Sequence, residues 1–163
     1  MKTFVILGMH RSATSLVAKG LANEIDMGSK FEPAPDNPKG HWENWDFVNL
    51  NDRILAAAGG SWDNPPSRMH ILGVEQQFSE EIKTLVGSFN AKGEDWGFKD
   101  PRTSLTVELY SKYLVNPHFI AIFRNPEDIA MSLQKRNGFS LEKGYLLAHE
   151  YNDRIIQFLC SRS

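Results

Sequence analysis

Two patterns of apolar residues alternate along the chain: short continuous runs, and longer stretches with apolar residues three or four positions apart. Continuous runs predict buried strands, and the longer stretches predict amphipathic helices. The predicted strands cover residues 2–7, 96–98 and 118–123, and the predicted helices cover 15–25, 47–58, 74–89, 103–114, 126–135 and 141–159. Strands that alternate with helices indicate an α/β fold, here a three-layer sandwich with a central parallel sheet.

The third predicted strand, HFIAIF at 118–123, is almost continuously apolar. Such a run is typical of a strand covered on both faces, so this strand is predicted to lie in the middle of the sheet. Residues 28–45 and 59–67 contain most of the prolines and several glycines, which predicts two long loops.

Size and composition restrict the class of protein. A chain of 163 residues, 41% hydrophobic and 23% charged, is expected to form one domain over 1–163. The formal net charge of −2 gives no overall basic field for nucleic acid or an anionic membrane. With no membrane-length apolar run, no signal-peptide core and a single cysteine, Cys160, the chain is expected to be cytoplasmic.

A polar loop, GMHRSATS at 8–15, lies between the first strand and the first helix. A strand, a glycine turn and a helix N-terminus in this order are typical of a phosphate-binding loop. The ATP-binding version, GxxxxGK[ST], has lysine where this chain has Thr14, and no strand here ends in an obvious metal-binding aspartate. The loop therefore predicts metal-free anion binding by backbone N–H groups, by Arg11 and by the hydroxyl of Thr14 or Ser15.

Each of the three predicted strands is followed by a cation: Arg11, Lys99 and Arg124. In parallel α/β sheets, ligands bind beyond the carboxyl ends of the strands. We therefore expect these three side chains to converge on one crevice.

Four segments together resemble the P-loop sulfotransferases, in particular their bacterial and tyrosylprotein branches. GMHRSATSLVA (8–18) resembles their loop for the 5′-phosphosulfate of 3′-phosphoadenosine 5′-phosphosulfate (PAPS). FIAIFRNPEDIAMSLQKR (119–136) resembles the strand and helix whose Arg and Ser bind the 3′-phosphate. WGFKDPRTS (96–104) resembles their Lys-Asp-Pro segment, and NPKGHWENWDFVNLND (37–52) the stretch that carries an acceptor-activating glutamate. The resemblance implies a P-loop nucleoside-triphosphate-hydrolase-like (sulfotransferase) fold and metal-independent sulfuryl transfer from PAPS to a hydroxyl or amine, leaving adenosine 3′,5′-bisphosphate (PAP).

The same resemblance assigns roles to individual residues. Arg11 and Lys99 are expected to neutralise charge on the departing phosphate, and Glu43 to accept the acceptor's proton, with His41 and His10 as alternative bases. Independently of the resemblance, Asp100 is expected to anchor Lys99 or the loop, and Arg102, Lys135 and Arg136 are expected to face solvent. The nucleotide is expected to contact His10, Arg11, Ser12, Ala13, Thr14, Ser15, Arg124 and Ser132.

Two departures from the family pattern weaken the expectation of catalytic activity more than the expectation of the fold. Ala13 replaces the loop glycine, which costs about 1–2 kcal/mol if that residue is left-handed. The sequence is also short for this family, and we expect no counterpart of the family's late C-terminal loop within its 163 residues. Two alternatives stay open, a non-catalytic nucleotide- or sulfate-binding member of the fold and, less favoured, a nucleotide-dependent kinase. The acceptor is a small molecule, a sugar or a peptide, and a partner subunit that completes the pocket is a further hypothesis.

Overall fold

The computed structural model describes residues 1–28 and 40–162. Within these residues no helix is both long enough and apolar enough to cross a membrane. In chain order the elements are β1 (Thr3–Leu7), α1 (Thr14–Leu21), α2 (Trp45–Ala57), α3 (Arg68–Gly73), α4 (Glu75–Asn90), β2 (Trp96–Lys99), α5 (Thr103–Ser111), β3 (Pro117–Ala121), α6 (Pro126–Asn137) and α7 (Leu141–Cys160).

Each predicted strand and helix is present, with differences at the ends. The six residues of α3 are too few to give an amphipathic pattern, so the sequence did not predict this helix. Helix α1 ends at Leu21, four residues before the predicted end. The cause is tertiary, because the Asp26 carbonyl accepts a hydrogen bond from the Gly97 N–H at 2.9 Å and draws the chain to the sheet edge. Most of the predicted loop at 28–45 lies outside the described residues.

The described sheet has three parallel strands in the order β2-β1-β3. Strand β1 is therefore central, and the prediction that 118–123 lies in the middle of the sheet is wrong. The run is apolar because both faces of this edge strand are covered. Phe119 packs edge-on against Phe158 of α7 at 4.9 Å, and Ile120 packs against the apolar cluster around α1.

Helices cover both faces of the sheet. Successive residues of β1 point to opposite faces, and each face packs against its own apolar cluster. Val5 and Leu7 enter the main core, to which α2, α4, α5, α6 and α7 contribute. Ile6 enters a smaller cluster with Ala18 of α1 and Met27. The chain thus has an α/β fold with a small parallel sheet between helices, an arrangement compatible with the predicted three-layer sandwich.

Helices α6 and α7 pack closely where Gly144 of α7 meets Ala130 of α6. A Cβ atom on Gly144 would lie 2.6 Å from the Ala130 Cα, so only glycine allows this approach. Helix α6 begins with Pro126 in its first turn, and the Asn125 side chain accepts a hydrogen bond from the Glu127 N–H. These contacts fix the position of α6, which extends the carboxyl end of β3.

Candidate functional site

The loop between β1 and α1 contains two left-handed residues that are not glycine, Arg11 (φ 69) and Ala13 (φ 65, ψ 17). Left-handed residues among right-handed ones turn successive N–H groups of a loop toward a common point, which suits an anion. The N–H groups of Thr14 and Ser15 lie in the first turn of α1, where no acceptor exists within the helix. The N–H of Ser12, by contrast, donates to the Met9 carbonyl at 3.2 Å.

The base of this loop is fixed by α5. The Gly8 N–H donates to the Ser104 hydroxyl at 2.9 Å, and that hydroxyl lies 3.3 Å from the Gly8 carbonyl oxygen, to which it donates. A Cβ atom on Gly8 would lie 2.7 Å from the Thr14 Cγ2 and 3.0 Å from the Ile122 carbonyl oxygen, so glycine is required here. Sequence reasoning missed Ser104, because this contact joins residues 96 positions apart.

Arg11, Arg124 and Ser132 come together at the start of the loop. The Arg11 Nε donates to the Ser132 hydroxyl at 2.8 Å, and the Arg124 Nη1 donates to the Arg11 carbonyl, also at 2.8 Å. Asp128 lies 3.4 Å from the Arg124 Nε and pairs with it on the surface of α6. Two guanidinium groups and a hydroxyl from separate elements therefore form one cationic cluster.

Lys99 lies at the end of β2, and only 2% of its side chain is exposed. Its ammonium group donates to the Glu43 carboxylate at 2.7 Å, to the His41 carbonyl at 2.9 Å and to the Ser15 hydroxyl at 3.3 Å. The Ser15 hydroxyl also donates to the His41 carbonyl, at 2.8 Å. Because Glu43 is itself only 10% exposed, this ion pair is largely shielded from water, which strengthens the attraction between its charges.

Asp100 is fully buried and serves as the expected anchor. Its carboxylate accepts from the Asn51 side chain at 2.8 Å, from the Arg102 backbone N–H at 3.2 Å and from the Arg102 guanidinium at 2.8 Å. Arg102 was expected to face solvent, but its side chain is only 13% exposed and lies between Asp100 and Asp52. The two carboxylates compensate for the burial of the Arg102 charge. The local sequence pattern does not reveal that they lie beside it.

His10 is buried at the back of the loop. Its ring lies 4.6 Å from the ring of Trp62, and its Nε2 has no hydrogen-bond partner among the residues that the structure describes. Burial, and then the charges of Arg102, Lys99, Arg136 and His41, lower the pKa of His10 well below its usual 6.5. The imidazole is therefore neutral at physiological pH.

Loop, strand ends and the segment before α2 enclose a cavity of about 580 Å³. Arg11, Lys99 and Arg124 all line it, as does Arg136, which was expected at the surface and lies 5.5 Å over the Trp62 ring. The walls consist of His10, Arg11, Ala13, Thr14, Ser15, Leu16, Lys19, Gly40, His41, Trp42, Glu43, Lys99, Pro101, Arg124 and Arg136.

Two residues expected to contact the nucleotide are not among the cavity walls. The Ser12 hydroxyl is buried without a hydrogen-bond partner in the described part of the chain, and Ser132 is reached through Arg11. Within residues 1–28 and 40–162, no group of three or more His, Cys, Asp or Glu side chains is arranged to hold a metal ion.

Around one cavity the site thus combines a loop suited to an anion, the cluster of Arg11 and Arg124, and a separate lysine, Lys99, paired with the Glu43 carboxylate. Comparison of the chain with protein-family models, with curated proteins and with solved structures finds no match.

Proposed function

We propose that this protein is a sulfotransferase that moves a sulfuryl group from PAPS to a hydroxyl or amine acceptor. The observation that carries the proposal is the convergence of Arg11, Lys99 and Arg124 on one cavity beside a loop suited to anions. Each of these cations comes from a different segment that resembles the sulfotransferases. The cavity volume of about 580 Å³ also falls within the range of small-molecule sites.

The separation of the cations into two groups suits a nucleotide with phosphate at both ends. Arg124 and Ser132, bridged by Arg11, form the group suited to the 3′-phosphate. Lys99 and Ser15, with the first N–H groups of α1, form the group suited to the 5′-phosphosulfate. ATP lacks a 3′-phosphate and would leave the first group without a ligand.

PAPS, when bound, supplies a sulfuryl group attached to a phosphate leaving group. Glu43 takes the proton of the acceptor while the acceptor's oxygen or nitrogen forms its bond to sulfur. The bond from sulfur to the 5′-phosphate oxygen breaks, its electron pair stays on that oxygen, and PAP is released. Lys99 stabilises the negative charge that grows there, and Arg11, which contacts the first group but lines the same cavity as Lys99, is the second cation for this charge. Such charge stabilisation is the main catalytic contribution in loose in-line transfers.

Binding of PAP in EDTA tests the donor site by titration calorimetry. We expect micromolar affinity for PAP, at least tenfold weaker affinity for AMP, and a loss of tenfold or more for Arg124→Gln. Lys83→Gln makes the same charge change on the exposed face of α4 and should leave the affinity unchanged. Binding of ATP with Mg²⁺ and not of PAP would contradict the proposal and favour a kinase.

A second candidate function is a nucleotide-binding protein of the same fold without turnover. The observation that favours it is alanine in the left-handed conformation at position 13, since this costs the loop about 1–2 kcal/mol and a loop that relaxes from it holds the 5′-phosphosulfate less firmly for transfer. The two functions differ in PAP release, measured by chromatography during incubation with PAPS and a panel of phenols, sugars and amines. PAP binding without acceptor-dependent PAP release supports the second function, and a gain in PAP affinity for Ala13→Gly supports its stated cause.

A further inference from the structure

Residues 40–43, here termed the plug segment, place two oxygen atoms on the groups expected to bind the donor. The His41 carbonyl accepts from both Lys99 and Ser15, and the Glu43 carboxylate accepts from Lys99. A lysine ammonium has three hydrogen-bond donors. Those of Lys99 all have partners, the third being the Ser15 hydroxyl.

An incoming phosphate oxygen therefore cannot hydrogen-bond to Lys99 unless one of these partners leaves. Glu43 is the partner that an anion opposes most, because two negative charges would otherwise share one buried cation. The plug segment also lines the cavity through Gly40, His41, Trp42 and Glu43, so its movement changes the space beside the donor.

We propose that the plug segment is an autoinhibitory contact that the donor nucleotide displaces. This inference rests on the proposed function and gives Glu43 two successive partners. Without nucleotide, Glu43 is bound to Lys99 and is not available as a base. With nucleotide, the 5′ anion takes Lys99 and Ser15, and the Glu43 carboxylate turns to the acceptor. Donor binding thus precedes acceptor activation.

The first test is PAP affinity in Glu43→Gln, which keeps the side-chain shape and removes the competing charge. Titration calorimetry should show PAP binding about tenfold tighter than in the wild type, a ratio equal to about 1.4 kcal/mol. Glu80→Gln is the matched control, because it makes the same charge change at a side chain that is 84% exposed on α4 and absent from the cavity walls.

The second test uses the wild-type protein and does not depend on the folding of a variant. Trp42 is half-buried in the plug segment and packs against the apolar cluster around Ile6. Displacement of the segment by PAP should shift its fluorescence emission to longer wavelength, and Trp42→Phe should abolish the shift although Trp45, Trp62 and Trp96 remain.

The outcomes separate the inference from the proposed function. PAP binding that is equal or weaker in Glu43→Gln, or that leaves Trp42 emission unchanged, overturns the displacement and leaves a PAP-binding protein. Absence of PAP binding to the wild type and to Glu43→Gln overturns both. Tighter binding in Glu43→Gln together with the Trp42 shift supports the inference.

Discussion

Ala13 allows the clearest test of how the loop is built, because its left-handed backbone can be relieved by one substitution. Alanine at φ 65 costs about 1–2 kcal/mol relative to its preferred conformations. Glycine carries no such cost but loses about 0.4–1 kcal/mol more chain entropy on folding. The net expectation for Ala13→Gly is a gain of about 0.8 kcal/mol in the free energy of unfolding, from the midpoints of those two ranges.

Ala91→Gly is the matched control. Ala91 ends α4 at φ −63 and ψ −19, a right-handed conformation without strain, and it is exposed. The same substitution there should only add chain entropy to the unfolded state and lower the free energy of unfolding by about 0.7 kcal/mol. The two variants are therefore expected to differ in sign and to lie about 1.5 kcal/mol apart.

Urea unfolding at pH 7.5, followed by far-ultraviolet circular dichroism, measures both variants. The comparison should use transition midpoints at a shared slope, which avoids the long extrapolation to water. In a chain of this size the gain in Ala13→Gly corresponds to a rise in Tm of about 2–3 °C. A midpoint for Ala13→Gly at or below that of the wild type would refute the assignment of strain to this residue.

Three further predictions concern stability. Burial and nearby cations lower the pKa of His10, so below about pH 6.5 the unfolded chain takes up a proton that the folded protein does not. The free energy of unfolding of the wild type should therefore fall below that pH by about 1.4 kcal/mol per pH unit relative to that of His10→Asn. Urea titration at pH 7.5, 6 and 5.5 measures this difference. Gly144→Ala should destabilise by about 1–3 kcal/mol because its Cβ meets the backbone of α6, whereas Gly87→Ala, with open space around its Cβ, should stabilise by about 0.7 kcal/mol in the same assay. Asn51→Ala should cost about 3 kcal/mol because it breaks four buried hydrogen bonds. Asn49→Ala, at an exposed position of α2, is the control and should cost under about 0.5 kcal/mol.

Helices and strands of this chain could be predicted because their signals are local. Helix α7, for example, repeats its buried residues at helical spacing over twenty residues. The position of β3 in the sheet, by contrast, has no local signal in the sequence. An edge strand covered on both faces has the same apolar pattern as a central strand, so the sequence could not distinguish the two positions.

In the candidate site too, some residues could be placed from the sequence and others could not. Arg11, Lys99 and Arg124 could be expected to converge because the carboxyl ends of parallel strands share one edge of the sheet. Ser104 and Arg102 could not be placed, since their partners depend on how α5 and α2 pack against the loop. The ion pair between Glu43 and Lys99 could not be predicted either, because the sequence motifs assign each of these residues a separate role.

The double hydrogen bond between Ser104 and Gly8 has a consequence for protein engineering. It joins the loop after β1 to the helix that follows Lys99, so the groups attached to the sheet behave as one preassembled frame. Among the described cavity walls, only residues 40–43 are not next to a strand end or on a helix that directly follows one. Residues 40–42 are therefore the positions to diversify in a library that seeks new acceptors, with Glu43 kept as the proposed base, because their side chains take no part in the hydrogen bonds between Gly8 and Ser104.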